Sequence, residues 1–130
     1  MISWLTFSTN ACNSPLLPAA YVKTASARGG FVRDVRFESL DVRGAGELVR
    51  LNTAYDRHHP APQPTVIANV SFVDVRGIAV RAGALDCSAE IPCRALAFER
   101  VSATAPLGYS CSGVVSGTQA GCDPKVSCLQ

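Results

Sequence analysis

Apolar and polar positions along the chain recur in one six-residue phrase, apolar–x–Phe–x–x–apolar. It runs Val35-Arg36-Phe37-Glu38-Ser39-Leu40, then Val70-Ser71-Phe72-Val73-Asp74-Val75, then Leu96-Ala97-Phe98-Glu99-Arg100-Val101. The first and third positions alternate as a strand requires, which puts both on one face. The extra residue before the last apolar position predicts a bend at the end of the strand. The three phenylalanines lie 35 and then 26 residues apart. A constant phrase at unequal spacing predicts stacked coils with loops of variable length, that is, an all-β solenoid.

The rest of the chain is laid out around that phrase. Residues 1–20 have no periodicity and match nothing later, so an irregular segment is expected, one that need not be native to the domain. Tyr21 to Thr24 is a short strand, and Ala25 to Gly30 a loop whose closing Gly29-Gly30 pair permits a sharp corner. The first repeat strand covers residues 31–42, Gly44-Ala45-Gly46 turns the chain, and Leu48 to Leu51 starts another strand. Residues 55–64 are proline-rich and cannot supply ladder donors, so they leave the stack as an insertion. Thr65 to Val75 is the second repeat, Ile78 to Arg81 a short strand, and Ala95 to Val101 the third repeat. Residues 107–130, rich in Gly and Cys, are expected to cap the last coil, whose edge would otherwise stay unpaired.

Composition narrows the function classes. At 130 residues the natural count is one domain, and 48% hydrophobic with 17% charged residues is neither a disordered nor a highly charged chain. A net charge of +2 predicts neither a nucleic-acid footprint nor a membrane-surface patch. The ten arginines alternate with apolar residues, as in Val32-Arg33 and Val35-Arg36, the pattern of a solvated strand face. No segment is apolar for long enough to span a membrane, and the chain is expected to be a monomer. Six cysteines indicate an oxidising compartment. None has C-x-x-C spacing and none clusters with histidine, so neither a metal nor another cofactor is expected. The expected disulfides are Cys87–Cys93, which flank a short turn, and Cys111–Cys128; Cys12 and Cys122 are left as a long-range pair or as free thiols. The first 20 residues carry no early Lys or Arg and make a poor secretory signal, so secretion would call for a segment upstream.

Four stretches, in order, resemble the family 28 glycoside hydrolases, the polygalacturonases. Tyr21-Val22-Lys23-Thr24, a short loop with Arg28-Gly29-Gly30, and Phe31 to Val35 are similar to the family's Arg-Ile-Lys-Thr, Gly-Arg-Gly-Gly and repeat strand. Cys87-Ser88 through Pro92-Cys93 resembles its plant-type Cys-Ser-x(n)-Pro-Cys turn. Cys111 to Gly117 and Pro124 to Cys128 resemble its closing cysteines. The resemblance covers residues 21–130 and implies the C-terminal coils of a right-handed parallel β-helix with a disulfide-rich cap. It also implies a secreted, cell-wall setting and a partner in pectin, whose α-1,4-galacturonosyl bonds the family hydrolyses with inversion.

That reaction needs one carboxylic acid on the leaving oxygen and carboxylates opposite to activate water. The family supplies three aspartates, in Asn-Thr-Asp and Asp-Asp, and a Gly-His-Gly histidine. This chain has none of these motifs. Its acidic residues, among them Asp34, Glu38, Asp41, Asp74 and Glu99, sit beside strand residues as surface charges, and His58-His59 lies in the proline-rich insertion without a catalytic role. No catalytic residue is therefore assigned, and the chain alone is expected to be inactive.

What the resemblance carries over is the grip on the sugar acid. Lys23 matches the lysine that binds a galacturonate carboxylate, although by itself it reads as a surface lysine. The family arginine falls on Tyr21, which removes a bidentate carboxylate contact. Tyr55 matches a substrate tyrosine and reads equally as a strand-end tyrosine half buried against the insertion. Arg28 joins Lys23 in a basic strip. Asn69-Val70-Ser71 is a glycosylation sequon at the start of a repeat, where the asparagine could instead stack on neighbours in adjacent coils. Three readings follow: an inactive polygalacturonase-like chain, a module that binds pectin or oligogalacturonate weakly without cutting it, and a purely structural solenoid.

Overall fold

A computed structural model describes residues 2–14, 17–24, 30–53 and 65–129, and of 2–14 the backbone only. Among the described residues every element is a strand and none is a helix. The strands are β1 (Ile2–Ser14), β2 (Ala20–Lys23), β3 (Phe31–Asn52), β4 (Val66–Asp86), β5 (Arg94–Thr104), β6 (Leu107–Ser112) and β7 (Gly117–Ala120). They pair in the order β1-β3-β4-β5-β7, with β2 also beside β3 and β6 also beside β4. All these pairings are parallel.

The repeat phrase sets the register. Phe37 lies opposite Phe72, and Phe72 opposite Phe98. The apolar residues at positions one, three and six of each phrase are all buried. Their rings stack, Phe37 on Phe72 at 5.3 Å and Phe72 on Phe98 at 4.9 Å between centroids. Tyr109 closes the row edge-on to Phe98 at 5.9 Å. Gly83, opposite Tyr109 in the ladder, makes room for that ring: a Cβ there would come within 2.4 Å of Tyr109 Cε1.

The fifth position of the phrase is the bend. Ser39, Asp74 and Arg100 are left-handed, with φ of 58°, 54° and 53°. A second left-handed row, Asp34, Asn69 and Ala95, precedes the phrase at φ of 59°, 53° and 54°. Each such residue turns the chain and lets the inward alternation resume one position later. A left-handed residue with a side chain costs about 1–2 kcal/mol, which Asn and Asp reduce by bonding locally. Here Asn69 Nδ2 donates to Asp34 Oδ1 at 2.5 Å. The sequon asparagine is thus exposed but engaged with its neighbour across the strand pair. These corners divide β3, whose 22 residues would otherwise reach about 70 Å.

Three expectations need correction. Residues 1–20 were expected to be irregular, but Ile2–Ser14 forms β1, with Phe7 at the register position opposite Phe37. The pairing slips between Ser8 and Thr9, so β1 skips the bend residue and the phrase loses its last apolar position there. Gly44-Ala45-Gly46 does not end a strand; β3 runs through it, and the register shift between Val42 and Ala45 absorbs the irregularity. Gly77 opposite Val42, by contrast, has a steric reason: φ is 152° and a Cβ would overlap the Val42 carbonyl oxygen. Within 107–130, finally, β6 and β7 extend the stack before the chain closes it.

Closure uses Val126 and Leu129, both buried against the core. The Gln119 side chain fixes that lid: Nε2 donates to the carbonyls of Val126 (3.0 Å) and Leu129 (2.8 Å), and Oε1 accepts from Val126 N–H (2.8 Å). Disulfides join Cys87 to Cys93 and Cys111 to Cys128, the second tying the closing segment to β6. Cys122 is a free thiol, and the side chain of Cys12 lies outside the described residues. Two disulfides suit an oxidising, extracellular-type environment. No helix among the described residues is long and apolar enough to cross a membrane.

Candidate functional site

β2, the last residues of β3 and β4, and β6 lie side by side. Ala20, Val22, Val49, Leu51, Gly83 and Leu85 point inward and are buried. The alternate positions therefore line the other face in register rows. One row is Tyr21–Arg50–Ala84–Ser110, and the next is Lys23–Asn52–Asp86–Ser112. Neighbouring rungs are about 4.8 Å apart, as strand pairing dictates.

Lys23 is exposed at the end of β2. Asn52 beside it is buried, and its carbonyl accepts the Thr24 N–H at 2.9 Å. Further along the row Ser112 Oγ donates to Asp86 Oδ1 at 3.2 Å. Beyond it, Thr53 Oγ1 accepts the Ser88 N–H at 2.7 Å and holds the disulfide turn against β3. In the first row the Arg50 guanidinium stands over the Tyr21 ring, 5.4 Å from its centroid. Arg50 Nη1 is 3.6 Å from Glu47 Oε1, an ion pair longer than a hydrogen bond. Arg50 Nε is buried and has no hydrogen-bond partner among the described residues. Sequence reasoning missed Arg50; the register that sets it beside Tyr21 follows from β2–β3 pairing and has no local signature. Arg28, Tyr55 and the His58-His59 pair lie outside the described residues, so of the three residues expected to bind substrate only Lys23 is located.

A second concavity was also missed. It is an open groove of about 800 Å³ lined by Ser39, Asp41, Asp74, Arg76, Arg100 and Ser102. It follows the left-handed row at position five of the phrase. Two of its charges, Asp74 and Arg100, are paired within the molecule. Arg100 Nε and Nη2 donate to the Asp74 carboxylate (2.5 and 3.1 Å), and Nη1 donates to Glu99 (2.7 Å). The hydrogen bond from Arg100 holds the Asp74 carboxyl below the usual range.

No family model matches the sequence, and no curated protein or solved structure matches it either.

A glycosidase acid must be a carboxyl kept protonated near neutral pH. Five of the described carboxylates are engaged by other side chains. Asp74 and Glu99 share Arg100, Glu38 accepts from Arg36 Nε at 2.8 Å, Glu47 pairs with Arg50 and Asp86 accepts from Ser112. No group of three or more His, Cys, Asp or Glu among the described residues could hold a metal ion. The face formed by β2, β3 and β6 carries a cation at Lys23, the Arg50 guanidinium and the Ser110 hydroxyl, a set that can engage a hydroxylated anion.

Proposed function

We propose that the parallel sheet is the wall of a right-handed parallel β-helix of the polygalacturonase type, and that this chain holds galacturonate-bearing polysaccharide on the β2–β3 face without cleaving it. Parallel strands joined in succession nearly always cross over right-handed, which favours that winding. The observation that carries the reading is the coincidence of two things. Three copies of one phrase stack in register, and Lys23, the residue matched to the family's carboxylate-binding lysine, stands exposed on the adjoining strand beside Arg50. The missing acid–base motifs make the chain a holder and not a hydrolase. The disulfides support an extracellular setting such as the cell wall.

The test is to incubate pure protein with polygalacturonate and, separately, to titrate it with oligogalacturonates. We expect no new reducing ends, together with saturable binding that weakens with salt and on Lys23→Ala. Hydrolysis, or a folded chain that ignores every acidic oligosaccharide, would contradict the proposal. The latter would favour a purely structural stack, a reading to which the internally paired groove at Asp74 and Arg100 already lends support.

A further inference from the structure

Arg50 is the least explained charged side chain on the candidate face. Arg100 spends its donors on Asp74 and Glu99, and Arg36 donates to Glu38. Arg50 makes no side-chain hydrogen bond among the described residues. It is nonetheless held. Its side chain is only 32% exposed, the Tyr21 ring supports its guanidinium, and Glu47 balances part of its charge at 3.6 Å without accepting a hydrogen bond. Nε is the covered atom, and Nη1 is the atom nearest the Glu47 carboxylate. A guanidinium held in place with donors not spent on hydrogen bonds can take the two oxygens of a carboxylate through its planar fork.

The register places this fork relative to Lys23. Arg50 is opposite Tyr21, and Lys23 is two residues further along the same face. The two Cα atoms are thus diagonal neighbours about 8 Å apart, from one strand spacing and two residue rises. Two cationic side chains at that separation suit two separate carboxylates carried by one chain.

Resting on the proposed function, we infer that Arg50 is a second carboxylate-binding residue, taking the carboxylate of the sugar unit next to the one held by Lys23, so that the face recognises an oligouronide and not a single sugar acid. Tyr21 is its positioning residue, since it orients the guanidinium and touches no carboxylate itself. This restores, from the neighbouring strand, a bidentate contact at the row where the sequence has Tyr21.

The experiment compares galacturonic acid with trigalacturonate on the unmodified chain and on Arg50→Gln, Arg50→Lys and Lys23→Ala. The expected result is that Arg50→Gln weakens trigalacturonate about tenfold and leaves the monomer unchanged. Arg50→Lys should not restore the loss, because an ammonium lacks the fork. Lys23→Ala should weaken both ligands. Should Arg50→Gln fail to fold, the guanidinium resonances of Arg50 in the unmodified protein decide the matter: they must shift with trigalacturonate and stay put with the monomer. Trigalacturonate binding that depends on Lys23 but not on Arg50 overturns this inference and leaves the proposed function standing. No binding of either ligand overturns both.

Discussion

Ala95 occupies an exposed left-handed corner with a side chain that cannot hydrogen-bond, and its N–H donates to Ser116 Oγ. Replacing it by Gly removes the clash that a Cβ creates at positive φ, and Ala95→Gly should raise stability by about 1 kcal/mol in thermal melts. Tyr109 presents the opposite problem. Its hydroxyl is buried without a hydrogen-bond partner among the described residues, and burial, aided by Cys122, pushes its pKa well above the usual phenol value. An unfolded tyrosine ionises near pH 10. Above about that pH the unfolded chain releases a proton that the folded chain keeps, so stability falls as pH rises. Tyr109→Phe should leave neutral-pH stability unchanged or higher and blunt the loss at alkaline pH, measured by denaturant melts on either side of pH 10. None of this was legible in the sequence. Ala95 and Tyr109 take their roles from partners far along the chain, Asp34 and Asn69 for one and Gly83 for the other.

At the scale of the strand, the legible part was what the phrase encodes. Its six positions contain the burial and the bend, because inward residues must be apolar and the turning residue adds one to the count. Phe72 lies between two rings and is fully buried. Phe72→Ala should cost about 3–5 kcal/mol, read from the shift in a denaturant midpoint. β2 was legible without the phrase, but β1 and β7 were not, for physical reasons. β1 omits the bend residue, so its pattern is out of step, and β7 has burial of only intermediate degree on alternate residues. Through Gly44-Ala45-Gly46 the pairing with β4 overrides the local turn preference. The site divides in the same way. Lys23 was legible through a local motif, whereas Arg50 beside Tyr21 and the groove at Asp74 exist only once strands are in register.

For the molecule as a whole, a stack of parallel strands is as stable as its closure. Val126, Leu129 and Gln119 close the side of β7, and the Cys111–Cys128 disulfide ties them down. Gln119→Ala strips three hydrogen bonds from that lid and leaves buried backbone groups unpaired. It should lower stability by about 2–3 kcal/mol and speed amide exchange in residues 117–129 before the Phe37–Phe72–Phe98 row responds. The central claim concerns the other side of the stack, where β2 and the end of β3 carry Lys23 and Arg50. Its most direct test is a backbone amide titration of the unmodified protein with trigalacturonate. The account predicts saturable shifts concentrated in residues 20–24 and 49–53. Shifts confined to the Ser39–Asp74–Arg100 groove, or no shifts at all, would contradict it.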